Sequence, residues 1–104
     1  MFKKLENPSY SVTTGTGRKS QLEGITYMEL LEAFGTPSFN EPSGDNKVQK
    51  EWVFEDIDGN IFTIYDYKTY DVEYTITSLD FWNVGGKKDA THFVQWVKSQ
   101  IEKD

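Results

Sequence analysis

The chain has no cysteine, one histidine and three prolines among its 104 residues. Without cysteine there is no disulfide framework, no thiol nucleophile and no zinc site built on sulfur. The single histidine, His92, sits in a helical pattern beside Phe93, and no Gly-x-Ser-x-Gly occurs. A nucleophilic triad is therefore not expected, and no catalytic residue is assigned. No apolar run approaches the roughly 20 residues that cross a bilayer. Met1-Phe2-Lys3-Lys4-Leu5-Glu6 also lacks the apolar core of a signal peptide. The expectation is a soluble cytoplasmic protein with no membrane partner. Positive charge is scarce as well, with 11 basic against 17 acidic residues and a net charge of −6. Affinity for long nucleic acid comes largely from cations that displace counterions, so a long DNA or RNA partner is disfavoured.

What the chain does have is bulk: seven Phe, six Tyr and three Trp. That is enough apolar material for one core, and the expectation is a single domain over residues 1–104, with 1–24 as a partly mobile arm. The clearest element is a helix from Tyr27 to Phe34. Thr26 and Glu29 stand at capping-box spacing, Ile25 and Leu30 at the staple positions, and Gly35 and Pro37 mark its end. Leu30, Leu31 and Phe34 share its apolar face. Ser38 to Asn46 is rich in turn formers and reads as a loop. Alternation then predicts two strands, one carrying Val48, Trp52 and Phe54 on one parity, the other running from Ile61 to Tyr67, joined at Asp58-Gly59. A further strand is predicted within Val72 to Val84, with a break near Ser78 to Asp80, and a second helix from Asp89 to Glu102. Tyr10 to Thr13 suggests a short strand, and Thr14 to Ser20 a turn or arm. The resulting fold class is α+β: an antiparallel sheet of three to four strands against two helices, in the order β-α-β-β-β-α.

Several clusters bear on chemistry. Asp56-Ile57-Asp58-Gly59-Asn60 resembles a calcium loop only superficially, because the remaining ligand positions are missing. It reads as a hairpin turn, and neither a metal nor a cofactor is assigned. Gly85-Gly86-Lys87-Lys88 joins a predicted strand to a predicted helix start, where free N–H groups, close backbone approach and two cations suit an anion. The competing reading is a tight turn with solvated lysines. Thr63-Ile64-Tyr65-Asp66-Tyr67-Lys68 alternates polar and aromatic groups. Its rings, with Trp52 or Trp82 as further platforms, can stack a base while Asp66 accepts ribose hydroxyls. The competing reading is a tyrosine-rich half-exposed sheet face. Gly15-Thr16-Gly17-Arg18-Lys19-Ser20 lacks Walker spacing, but Arg18 can close over a ligand.

Ile25-Thr26-Tyr27, Phe34-Gly35-x-Pro37, Gly44-Asp45-x-Lys47-Val48-x-x-Glu51-Trp52, Thr63 to Lys68 and Trp82-Asn83-Val84-Gly85-Gly86 together resemble small uncharacterised proteins encoded by bacteriophages. The resemblance spans Ile25 to Gly86. It implies a counter-defence factor acting in the host cytoplasm. One such role is a homo-oligomeric sponge that holds a small phosphorylated nucleotide immune signal without cleaving it. The alternative is an acidic inhibitor that docks on a host defence protein, such as a nuclease or CRISPR effector. For the sponge the expected ligand contacts are Arg18, Trp52, Tyr65, Asp66, Tyr67, Lys68, Trp82, Gly85, Gly86, Lys87 and Lys88.

Overall fold

The structure is a computed structural model and describes residues 2–102. Five strands form one antiparallel sheet: β1 (Phe2–Lys4), β2 (Gly17–Glu23), β3 (Glu51–Asp56), β4 (Ile61–Tyr65) and β5 (Phe81–Gly86), in the spatial order β1-β3-β4-β5-β2. Three helices accompany them, α1 (Tyr27–Phe34), α2 (Val72–Thr77) and α3 (Thr91–Ile101), together with a 3-10 turn at Tyr10–Thr13. The α+β class stands, with a larger sheet and one more helix than the periodicity predicts.

Strand alternation sorts the side chains onto two faces. Leu22, Trp52, Phe54, Phe62, Ile64, Trp82 and Val84 point to one face, where Leu30 of α1 and Phe93 and Val97 of α3 close the core. The capping box at Thr26 and Glu29 is complete, so α1 starts where its sequence signals place it. Phe93 stacks on Phe62 with ring centroids 5.1 Å apart, and Trp52 meets Trp82 edge to face at 5.6 Å.

Three local readings are corrected. Val72–Thr77 forms α2 rather than a strand. The β-branched and aromatic residues there favour a strand, but the Asp71 carboxylate accepts from the backbone N–H groups of Glu73 and Tyr74 and starts a helical turn. Tyr10–Thr13 is a 3-10 turn because Ser9 caps it, and it packs against β4. Gly17–Glu23, placed in an arm by its small and polar residues, is an edge strand paired with β5, with Leu22 fully buried. The Asp58-Gly59 hairpin forms as its residues dictate. The Asp56 carboxylate accepts from the N–H groups of Asp58 and Asn60 and from the Asn60 amide, and Gly59 takes φ 83°. The Asn60 side-chain bond is the main cause holding the Asp56 carboxyl below its ordinary range.

The second face of the sheet positions the site. Cross-strand pairing sets two rows on it: Glu51, Tyr65, Asn83 and Gln21 in one, and Val53, Thr63, Gly85 and Arg18 in the next. The β3 side is covered. Ser38 Oγ donates to the Leu5 carbonyl and accepts from the Val53 N–H, Phe39 bridges to Glu51, and Tyr10 stacks on Phe39 at 4.6 Å. The β5 and β2 side is open.

Candidate functional site

On that open side lies a pocket of about 540 Å³ lined by Arg18, Tyr65, Tyr67, Leu79, Phe81 and Asn83. Four of these are on strands. Phe81 and Asn83 stand two residues apart on β5 and therefore share a face. Tyr65 is the cross-strand partner of Asn83, and Arg18 pairs with Gly85 at a bulge in β2. The bulge places Arg18 opposite a residue with no side chain. A Cβ at Gly85 would lie 2.8 Å from Thr63 Oγ1 and 3.3 Å from Tyr65 Cε1, so the glycine makes room for the tyrosine ring.

Tyr67 and Leu79 come from the segment joining β4 to β5, and a buried carboxylate holds that segment in place. Asp66 Oδ1 accepts from the backbone N–H groups of Gln49 at 2.8 Å and Lys50 at 3.0 Å, while Oδ2 accepts from the hydroxyls of Thr75 at 2.8 Å and Thr69 at 3.2 Å. Beyond this anchor the backbone is left-handed at Lys68 (φ 57°) and Tyr70 (φ 55°), which is uncommon for non-glycine residues and marks an over-determined loop. Tyr67 is turned outward and meets Tyr65 edge to face at 6.3 Å, with Lys68 Nζ 5.4 Å from its ring centroid.

The electrostatics follow from burial. The Tyr65 hydroxyl is pushed up, first by burial and then by the nearby Glu51 carboxyl, while Arg18 pulls it down. Glu51, in the same row, is pushed from its ordinary value of 4.5 to about 7 by burial, with the Thr63 hydroxyl lowering it and the Asp66 carboxylate raising it. Thr63 Oγ1 does not reach full hydrogen-bond geometry with any group, and neither does Asn83 Oδ1. Both are buried polar atoms, and of the two only the Thr63 hydroxyl has a protein group, the Glu51 carboxyl, close enough to act on.

The sequence-based site divides. Arg18, Tyr65 and Tyr67 line one pocket; Lys68 does not line it, and its Nζ lies 5.4 Å from the Tyr67 ring centroid. Trp52 and Trp82 do not serve as stacking platforms. Both are fully buried, and their indole N–H groups donate to the carbonyls of Gly35 and Ile25. Asp66 is likewise interior, with both oxygens committed, so it does not face a ribose.

The Gly85 to Lys88 junction is corrected too. Gly85 and Gly86 are the end of β5, paired on both sides, and a Cβ at Gly86 would meet Phe62 at 3.0 Å. The first N–H of α3, at Thr91, is met by the Asp89 carboxylate, which leaves little attraction for a phosphate there. Lys87 and Lys88 are exposed; Lys87 runs against Gly15 and Lys88 acts electrostatically on Asp56 at the hairpin. They do not line the pocket.

Leu79, Phe81 and Asn83 are the lining residues that the sequence-based set omits. The signal for the last two was present: Trp82 and Val84 claim the core parity of β5, so Phe81 and Asn83 must take the other face. Among the described residues no group of three or more His, Cys, Asp or Glu is placed to hold a metal ion, and no helix is long and apolar enough to cross a membrane. Comparison with family models, curated proteins and solved structures finds no match to the chain.

Proposed function

We propose that the chain binds a small phosphorylated nucleotide in the pocket on the open sheet face, without cleaving it. The observation that carries this reading is the convergence of Arg18 with three aromatic rings, Tyr65, Tyr67 and Phe81, around one cavity of about 540 Å³. Such a volume lies within the usual range for small-molecule sites, roughly 300–1,000 Å³. The rings supply stacking surface, the guanidinium a partner for phosphate oxygens, and Asn83 a polar floor. Lys68, whose Nζ lies over the ring of the lining residue Tyr67, is a second cation in the neighbourhood. In a chain of net charge −6, these local cations are what favours an anion here. The resemblance to phage-encoded proteins gives the setting of this proposal: a homo-oligomeric counter-defence sponge for a nucleotide immune signal in the host cytoplasm.

Calorimetric titration with mononucleotides, cyclic nucleotides and ADP-ribose-type nucleotides tests the reading. At least one is expected to release heat, to raise the melting temperature by mass action and to be recovered intact after long incubation. Absence of heat and of stabilisation across the panel contradicts it.

The second reading, an acidic inhibitor of a host defence protein, draws on a different surface. Tyr70, Val72, Tyr74 and Ile76 are 39–53% exposed in a segment whose charges, Asp71, Glu73 and Asp80, are all acidic. Under this reading Tyr74→Glu and Ile76→Glu would abolish inhibition of the defence protein and leave nucleotide titrations unchanged.

A further inference from the structure

The sheet ends at β2 in an open edge. This strand is seven residues long and pairs with β5 alone, and among the described residues no other backbone segment pairs with its outer side. Arg18, Lys19, Gln21 and Glu23 are exposed, and an open depression of about 360 Å³ lined by Ser20, Gln21, Glu23 and Lys98 adjoins the strand. β1, at the opposite edge, offers only three residues. Just past the β2–β5 ladder the Gly24 N–H donates to the Asp80 carbonyl at 2.8 Å. By the alternation of an antiparallel pair, Leu22 and Ser20 then bond inward to β5, and the N–H and C=O groups of Gln21 and Glu23 point outward. The bulge falls between Arg18 and Ser20 and leaves Ser20 to Glu23 regular. A regular edge with free donors and acceptors is a template for another strand.

We infer that two copies of the chain join β2 to β2, antiparallel about a two-fold axis at Gln21, into one continuous sheet. Hydrogen bonds form only in registers that set outward residues opposite outward residues. Among these, Gln21 opposite Gln21 brings Lys19 of each copy opposite Glu23 of the other, so both ends of the contact carry a pair of opposite charges. Moving the axis one residue either way sets Gln21 opposite Lys19 or opposite Glu23 and loses both pairs. This complementarity selects a second copy as the occupant of the edge. The same axis sets Ser20 opposite Leu22. Both stand on the core side of β2, across from Val84 and Trp82, so the helices of the two copies stay on one face and the two pockets on the other. The contact gives the homo-oligomer of the nucleotide reading its interface, but it rests on the strand alone and not on that reading.

Sedimentation of the full chain without ligand, at concentrations rising to about 1 mM, tests this. The wild type is expected to pass from monomer to dimer. Lys19→Glu and Glu23→Lys each turn two attractive contacts into repulsive ones and are expected to weaken the dimer about tenfold or more. An equimolar mixture of the two variants restores both pairs and is expected to dimerise as the wild type does. Gln21→Pro removes an outward N–H that β5 does not use, so it is expected to stay folded and monomeric. Thermal unfolding checks its fold, and the two exposed charge variants decide the matter if it fails to fold. A wild type that stays monomeric overturns the inference, as does a dimer that persists in folded Gln21→Pro. A mixture that associates no better than its separate components overturns it too. None of these results bears on the nucleotide titrations, which a monomer can pass and a dimer can fail.

Discussion

At the scale of single residues, Glu51 shows how burial is converted into pH dependence. Its carboxyl titrates near 4.5 in the open chain and at about 7 in the fold, chiefly because burial disfavours the charged form. Between those values the folded state holds a proton that the unfolded state has released. Stability therefore falls as pH rises through this window, and the favourable contribution is fully present only below about 4.5. At roughly 1.4 kcal/mol per pKa unit, the loss is on the order of 3 kcal/mol by pH 8. Glu51→Gln should remove this slope, melting higher than the wild type at pH 8 and much like it at pH 5. Denaturant titrations at the two pH values check this, and parallel pH profiles for the two proteins would count against it. Gly85 makes the complementary point about space, since the closeness of Thr63 and Tyr65 to its missing side chain ties a glycine in a strand to the shape of the pocket wall.

At the scale of elements, the segment from Asp66 to Leu79 carries the pocket's outer wall through one anchor. Four donors meet the Asp66 carboxylate: two backbone N–H groups from the stretch before β3, and the hydroxyls of Thr69 and Thr75. Asp66→Ala would leave the buried N–H groups of Gln49 and Lys50 unmet. It is expected to cost roughly 3 kcal/mol or more in urea unfolding. It should also speed amide exchange through α2 more than in α3; uniform exchange across the two helices would contradict the anchoring role.

This element also shows where sequence reading succeeds and stops. The helix at Tyr27–Phe34 and the hairpin at Asp58-Gly59 are legible because their signals are local: a cap and box in one, a turn dipeptide between alternating runs in the other. Val72–Thr77 is not legible by propensity, because one capping aspartate and the pull of Asp66 on Thr75 override strand-favouring side chains. β2 escapes notice because an edge strand with a bulge and few apolar residues carries almost no alternation. For the site, the aromatic alternation running through β4 and just past it singled out Tyr65 and Tyr67, which the structure places in the wall of one pocket. The tryptophans misled because size and ring chemistry suit a core as well as a ligand, and only the strand register separates the two.

At the scale of the molecule, the sheet divides its labour by face. One face is sealed by α1 and α3 around stacked aromatics; the other is covered over β3 and open over β5 and β2. The most direct test of the central claim is a calorimetric titration of the tightest-binding nucleotide into wild type, Arg18→Gln and Lys87→Gln at low salt. Arg18 lines the pocket, whereas Lys87 lies against Gly15 outside it. A charge-assisted hydrogen bond is worth about 1.5–3 kcal/mol. The account therefore predicts a loss of roughly ten- to a hundredfold for Arg18→Gln and little change for Lys87→Gln. Full affinity in Arg18→Gln, or a loss confined to Lys87→Gln, would contradict it.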